Sequence, residues 1–512
     1  MRIQLLIERL LSSVCIGSFL IVGPALIASA GPTDPVVVED PPIGEGEPFV
    51  PGVRLVAELP REYVEEEFFV SGTATLYNYA NNPPLSPSDV VGIDDLPYQT
   101  RIMVRRPVNP KKANGTVVIE WWNSTAGFDT APAWDTSAEY FANEGVTYVG
   151  VTNSATSIGF MVSGCSAFGG PPTCGTRYST LSIPENGLAY DIVNQLTNLL
   201  KSDDPDNPLP PAYRPDIVLH AGESQQAGSV VTFASGFHEP GLSDGYFVQS
   251  GFNSRPINFG SACGQAGSDA FPDCTPRLQY PASLVSTDLP VPVYQTVTQT
   301  DFEGLGFRVF GRQPDTPTYR YYEITGGSHT TVHIGIELIP EGGLFPGSPA
   351  ILLTDLCEEE LNTLADGPVF GAYVLNALWE RMQEQVRDGD EPPAGVLMDT
   401  TAGFQLARDA NGNVLGGVRL PSITAPTATY VSTASVEPTL PPALAGFGAL
   451  VCRLSGAVEP FDEATLDDLY RSHGIYVKAV VSGARALKRQ GLLLQQDAIK
   501  IKKAASRSDI GR

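Results

Sequence analysis

Short runs of consecutive apolar residues alternate along this chain with longer stretches of helical spacing, and that rhythm limits the possible folds more than any other feature. The runs are Thr116–Trp121 (TVVIEW), 146–151 (VTYVGV), 216–220 (DIVLH), 246–249, 291–298 and Tyr319–Ile324. A strand buried on both faces has no polar side, so it reads as continuous hydrophobicity. Between the runs, residues 135–143, 183–200 and those after Ser224 repeat apolar positions at helical spacing. Strands exchanged with helices imply an α/β architecture: a mostly parallel central sheet with helices on both faces. Residues 68–79 and 100–105 alternate polar and apolar positions like strands, and Asn114-Gly115 is a turn signal ahead of TVVIEW.

Composition agrees with a folded chain. Hydrophobic residues make up 42% of the 512, enough for a large core, and only 17% are charged. The net charge of −25 removes the basic footprint that nucleic-acid binding needs, so no nucleic-acid partner is expected.

The first residues resemble an export signal. Arg2 and Arg9 precede an apolar run that ends at Ala28-Ser29-Ala30, a small-x-small cleavage pattern. An uncleaved anchor is the competing reading; Gly23 and Pro24 break the run near its end. Residue 14 before Cys15 is Val, too large for a lipoprotein signal. Cleavage after residue 30 leaves six cysteines, and an even number in an exported chain argues for disulfides. Cys165/Cys174 and Cys263/Cys274 are close pairs suited to short loops, which leaves Cys357/Cys452 to staple a longer segment. No Cys-x-x-Cys occurs and no His stands beside these cysteines, so no metal is expected. The expected location is periplasmic or extracellular, with no membrane association expected once the signal is removed.

The expected organisation is a signal peptide over 1–30, a flexible Pro-, Gly- and acid-rich leader over 31–52, and a core over 53–339. An insert or cap over 340–450 follows, then a C-terminal helical segment over 451–512 that packs on the core. The insert breaks the rhythm: a helix over about 358–387 precedes a Pro/Gly/Thr-rich stretch. Within that stretch Asp409–Asn413 (DANGN) reads as a hairpin turn, because it lacks the later Gly and distal Glu of a calcium loop. The basic end (KIKKAASR) reads as a solvated helix terminus.

The chemistry gathers at Ser224. The run DIVLH leads into Ala221-Gly222-Glu223-Ser224-Gln225-Gln226-Ala227, and a helix follows. A strand, a sharp turn with Ser at its tip and a helix form a nucleophile elbow, whose close packing demands small neighbours. Gly222 supplies one; Gln226 stands where the second belongs. A serine nucleophile needs a base and an orienting acid, delivered here after later strands in the order acid, then histidine. Residues 291–298 run into Asp301 and Glu303, and Tyr319–Ile324 runs into Gly326-Gly327-Ser328-His329. Asp301 is the expected acid, with Glu303 as alternative; His329 is the expected base, with His333 as rival. His220 lies inside a strand and reads as core, and His238 and His473 read as surface residues. Two backbone N–H groups must face the developing oxyanion. One is expected from Gln225, the other from Trp122 or Asn123 after TVVIEW. Trp121 and Trp122 either belong to the core or line an acyl pocket, and Phe302, Phe307 and Phe310 suit an apolar ester.

The blocks GTVVIEWWN, EGVTYVGVT, HAGESQQAG, VPVYQTVTQTD, PDTPTYRYYEITGGSH and NGNVLGGVRLP, with the C-terminal YVKAVVSGARALKRQGLLLQQDA, resemble a bacterial α/β-hydrolase domain family over roughly residues 60–500. That family often carries Gly-Glu-Ser-Gln-Ser-Ala at its elbow; this chain has Gln226 at the second Ser. The resemblance implies an α/β-hydrolase fold and a Ser224–Asp301–His329 triad, and leaves the substrate open.

The expectation is a secreted serine esterase that needs no cofactor and acts on a small-molecule or polymer-derived ester. An amide or C–C hydrolase with the same triad, or a non-catalytic binding protein on a hydrolase scaffold, are the alternatives. Oligomeric state is not legible.

Overall fold

The runs that set the rhythm lie side by side in one nine-stranded sheet. The computed structural model describes residues 37–39, 45–52, 54–81, 84–166, 172–251, 253–257, 284–330, 338–339, 351–362 and 371–512. The sheet consists of β1 (Val37–Glu39), β2 (Tyr63–Tyr79), β3 (Val90–Pro107), β4 (Thr116–Trp121), β5 (Thr147–Val151), β6 (Ile217–Glu223), β7 (Gly245–Gln249), β8 (Val293–Thr298) and β9 (Tyr319–Ile324). Their order is β1-β2-β3-β5-β4-β6-β7-β8-β9. β1, β2 and β3 pair antiparallel, as does β3 with β5. From β5 to β9 every pairing is parallel.

Helices cover both faces, as βαβ crossovers require. The strand period of two divides the core: Val117, Ile119 and Trp121 of β4 face one side, Val118 the other. The first side is closed by α2 (Ala155–Val162), α3 (Ala189–Lys201) and α4 (Gln225–Phe237). The second is closed by α1 (Pro132–Glu144) and by α6 (Gly371–Asp388), which follows the short α5 (Gln299–Glu303). The expected boundaries of β4 and β9 coincide with the observed ones, because both strands are buried along their whole length.

Residues 340–450, expected as one insert, divide between several tasks. The helix expected from 358 begins at Gly371, and Glu360–Leu361 instead forms a strand. α6 completes the second face: Trp379 packs on Phe247 of β7 at 4.6 Å between ring centroids and on Phe141 of α1 at 5.4 Å. Residues 396–418 run beside the edge strand β9, bridging at Tyr322–Val396 and Ile324–Val418. Their tip is the expected hairpin turn, with Gly412 N–H donating to Asp409 O. The remainder is a small lobe. It contains the hairpin β10 (Leu338–Ile339) with β11 (Ile351–Leu352), and a three-stranded sheet of β12 (Glu360–Leu361), β14 (Ala457–Pro460) and β13 (Ala428–Val431). Helix α8 (Pro442–Ser455) crosses it, after the short α7 (Pro421–Thr424). The expected boundary at 450/451 therefore falls inside α8, where Cys452 bonds to Cys357. α9 (Glu463–Leu469), α10 (His473–Arg489) and α11 (Gln495–Arg507) complete the chain, and Ala484 and Leu487 of α10 join the core around α6.

The leader expected over 31–52 is folded where described. Val37–Glu39 pairs with Phe69–Ser71, and Phe49 sits edge-on to Phe128 and Phe160. Its apolar residues gain more by covering the edge of the domain than the Pro- and Gly-rich composition suggests. Residues 1–30, Cys263 and Cys274 lie outside the described residues, as does His333. Pro32–Arg512 forms one compact unit. Among the described residues no helix is long and apolar enough to cross a membrane.

Candidate active site

The turn between β6 and α4 holds Ser224 at φ 55° and ψ −113°, a left-handed backbone for a non-glycine residue. Such a conformation costs of order 1–3 kcal/mol and persists only where the surroundings enforce it. Here they do. A Cβ on Gly222 would run into the Gln226 carbonyl, and one on Gly251 would meet the Ala227 methyl. The small residues that the elbow needs are thus Gly222, Ala227 and Gly251. Gln226 is accommodated because only its backbone approaches Gly222, while its side chain lies in a polar niche with Asn153, Ser229 and Arg255.

His329 arrives on the turn after β9. Gly326 of that turn is pinned from two sides: its N–H donates to Gln299 Oε1 at 3.0 Å, and its carbonyl accepts from Asn362 Nδ2 at 2.6 Å. His329 Nε2 then lies 2.8 Å from Ser224 Oγ, and its Nδ1 lies 2.5 Å from Asp301 Oδ1. Asp301 is fixed by a capping box at the start of α5. Its Oδ2 accepts the Thr298 N–H at 2.7 Å, while its own N–H donates to Thr298 Oγ1. One carboxylate oxygen is thereby used to aim the other. Glu303, the alternative acid, is instead occupied by Arg408 at 2.7 Å and by Ser432.

A second carboxylate reaches the same imidazole. Glu223, the last residue of β6, places Oε1 3.4 Å from His329 Nε2, and its Oε2 accepts from Asn123 Nδ2 at 3.0 Å. Burial lifts the Glu223 pKa to about 7; the neighbouring His329 opposes the rise and Asp301 adds to it. For His329, burial alone disfavours the charged ring. The Asp301 and Glu223 carboxylates outweigh it and push the pKa up to about 9. Sequence reasoning passed over Glu223. The signal was available: a carboxylate ending a buried strand, beside a nucleophile, must find a partner.

The oxyanion expectation is corrected in part. Gln225 opens α4, and no acceptor is bonded to its N–H among the described residues. Trp122 and Asn123 do not qualify as backbone donors. Trp122 N–H donates to Val151 O at 3.2 Å, continuing the pairing with β5 past the end of β4, and Asn123 N–H donates to Thr130 O at 3.1 Å in an isolated antiparallel bridge across the following loop. The loop beyond offers another N–H. Those of Ser124 and Thr125 are occupied by Gln225 Oε1 and Asn123 Oδ1, whereas Ala126 N–H has no bonded acceptor among the described residues. Ala126 lines the same cleft as Ser224.

Both tryptophans belong to the core and not to an acyl pocket. Each is fully buried; Trp122 donates to Tyr148 Oη at 2.7 Å, and Trp121 packs on Tyr190 and Phe233. Phe302 is likewise buried, beneath the Arg312 guanidinium. His220 is a core residue as expected, bonded to Ser243 and pushed down to about 3 by burial. His238 and His473, expected at the surface, are half-buried and bonded to Tyr246 Oη and the Ile510 carbonyl.

Ser224, Glu223 and His329 open into a cleft of about 1240 Å³, its mouth included. One wall is formed by the ends of the parallel strands. The other is apolar: Leu353 and Leu361 from the small lobe, Leu375 from α6, and Phe447, Leu450, Val451 and Leu454 from α8.

A parallel sheet with a serine on the turn after a central strand, and an acid and a histidine after its last two strands, defines the α/β-hydrolase class. The chain belongs to the alpha/beta hydrolase domain family, whose model matches residues 38–503. No curated protein matches the chain. Among solved structures it is similar to a putative dienelactone hydrolase from Klebsiella pneumoniae (11% identity, TM-score 0.22, 45% of this chain and 73% of that one). It is also similar to an alpha-beta serine hydrolase homologue from Coxiella burnetii (12%, 0.26, 45% and 84%) and to a ferulic acid esterase from Streptomyces cinnamoneus (12%, 0.26, 55% and 78%).

Proposed function

We propose that this α/β hydrolase is an exported serine esterase. Ser224 attacks the ester carbonyl while His329 Nε2 takes its proton, and Asp301 holds Nδ1–H and stabilises the imidazolium that forms. The N–H groups of Gln225 and Ala126 receive the oxyanion. As the tetrahedral intermediate collapses, the imidazolium returns its proton to the departing alkoxide and leaves an acyl-Ser224. Water, deprotonated by the same histidine, then attacks the acyl carbonyl; as that intermediate collapses the imidazolium returns its proton to Ser224 Oγ, and the acid is released. Every step is proton transfer and acyl exchange among this chain's own groups and the substrate.

The observation that carries the reading is the unbroken line Ser224 Oγ–His329–Asp301, with separations of 2.8 and 2.5 Å, on a strained turn at the mouth of a cleft. The apolar wall favours an ester with a hydrophobic acyl or alcohol part. Export accords with the disulfides Cys165–Cys174 and Cys357–Cys452, which persist in oxidising compartments. A fluorophosphonate probe tests the chemistry. The expected result is a single adduct on Ser224 that is lost in Ser224→Ala; a folded protein that takes up no probe contradicts the proposal.

A further inference from the structure

Among the described residues, the charged groups that line the cleft have one sign, apart from His329 itself. Glu223 and Asp135 line it, and both are nearly inaccessible to solvent. Asp135 sits in the first turn of α1, its Oδ1 accepting the Arg54 N–H at 3.2 Å. Glu223 is met by an amide, Asn123, and by His329. Among the described lining residues there is no Lys or Arg. The stretch 321–380, which supplies His329, Leu353 and Leu375, holds no Lys or Arg anywhere in its sequence. The whole chain carries a net charge of −25, of the same sign as these groups.

An ester carbonyl poised at Ser224 Oγ lies one residue from the Glu223 carboxylate, in a cleft whose opposite side is hydrocarbon. Charge–charge energies are several times larger there than in water. A carboxylate on the substrate would meet like charge, with no Lys or Arg among the described lining residues to receive it and with His329 already held between Asp301 and Glu223, while an ammonium would meet opposite charge.

We infer that the cleft selects esters by charge, taking neutral and cationic substrates and turning away those that carry a carboxylate, with Glu223 and Asp135 as the selecting groups. This rests on Ser224 being the acylated residue. An apolar wall alone rejects either sign of charge, through the cost of desolvation. Selection by Glu223 and Asp135 distinguishes the signs, and that difference separates the two accounts.

The test compares three p-nitrophenyl esters with six-carbon acyl chains at pH 8, above the value to which burial lifts Glu223. They are the hexanoate, the mono-ester of adipic acid and the 6-trimethylammoniohexanoate. The expected kcat/KM for the cationic ester exceeds that for the anionic one by about tenfold or more, as opposite unit charges at several ångströms in a partly buried site require. Glu223→Gln and Asp135→Asn each narrow that ratio. Because the ratio is taken within one enzyme, any loss of turnover common to all esters cancels. Thr354→Lys, an exposed position on the cleft wall, narrows it without touching the buried groups. Equal values for the two charged esters overturn the inference while leaving the esterase reading in place, as does a ratio that none of the three variants moves. A folded protein that hydrolyses none of the three esters overturns the esterase reading and this inference together.

Discussion

The two walls of the cleft are built by different means. The wall at the ends of the parallel strands is polar, and nearly every group in it is fixed by a named partner. Asp301 is held by the Thr298 capping box, the His329 turn by Gln299 and Asn362, and the loop after β4 by Asn123 and Gln225. Beneath that loop, Arg101 is fully buried between Glu67 and Asp129 and lies against Phe49, Trp122 and Tyr178. The opposite wall is hydrocarbon from α8 and from residues 353–361. It rests on a small separate core, and its covalent tie is Cys357–Cys452. Reaction geometry comes from the first wall, where a displacement of an ångström is costly. Pocket shape comes from the second, which the sheet does not hold.

If that division is right, damage to the polar wall removes the reaction and damage to the apolar wall changes only what reacts. The largest effect belongs to Asp301→Asn. It leaves a side chain of the same shape but presents the wrong partner to His329 Nδ1, so kcat falls by about 10³–10⁴ on every ester. A loss confined to long acyl chains would break the comparison.

Next comes the double variant Cys357→Ser/Cys452→Ser. The bond closes a loop of sequence separation 95, and releasing such a loop costs up to about 4–5 kcal/mol on a chain-entropy estimate. The small lobe loosens first, since its own core is small. Turnover of p-nitrophenyl hexanoate is expected to drop about tenfold, with the acetate nearly unchanged. Equal losses on both esters would mean that the second wall also sets the reaction geometry.

The smallest effect is in pH. His329 serves as base only when neutral, and two carboxylates favour its charged form. The acid limb of kcat/KM therefore lies well above the ordinary histidine value near 6.5, towards about 9. Glu223→Gln removes one of the two carboxylates and moves the midpoint down by about one pH unit. A midpoint already near 6.5, or one unmoved by the variant, contradicts the role given to Glu223.

The same division governs what the sequence disclosed. Strands buried on both faces are written as unbroken apolar runs, so β4 and β9 were legible to the residue, and with them the places where Ser224, Asp301 and His329 leave the sheet. Trp122 is not free to donate because a strand's pairing can outlast its apolar run, and Asn123 because it bridges Thr130 across the following loop. Their N–H groups still bond Val151 and Thr130, and the unoccupied N–H moves on to Ala126. The apolar wall was not legible. Phe447, Leu450 and Leu454 fall at the spacing of one face of an ordinary amphipathic helix, and nothing in local spacing says that their partners lie across a cleft. The Cys357/Cys452 pairing was the available hint that α8 returns to residues near 353.

The most direct test of the central claim is the kcat/KM of the purified, oxidised protein on p-nitrophenyl hexanoate, measured beside Ser224→Ala. The account predicts turnover in the native protein and a loss of at least about 10³-fold in the variant, with unchanged thermal unfolding. Turnover that survives in a folded Ser224→Ala protein would contradict it.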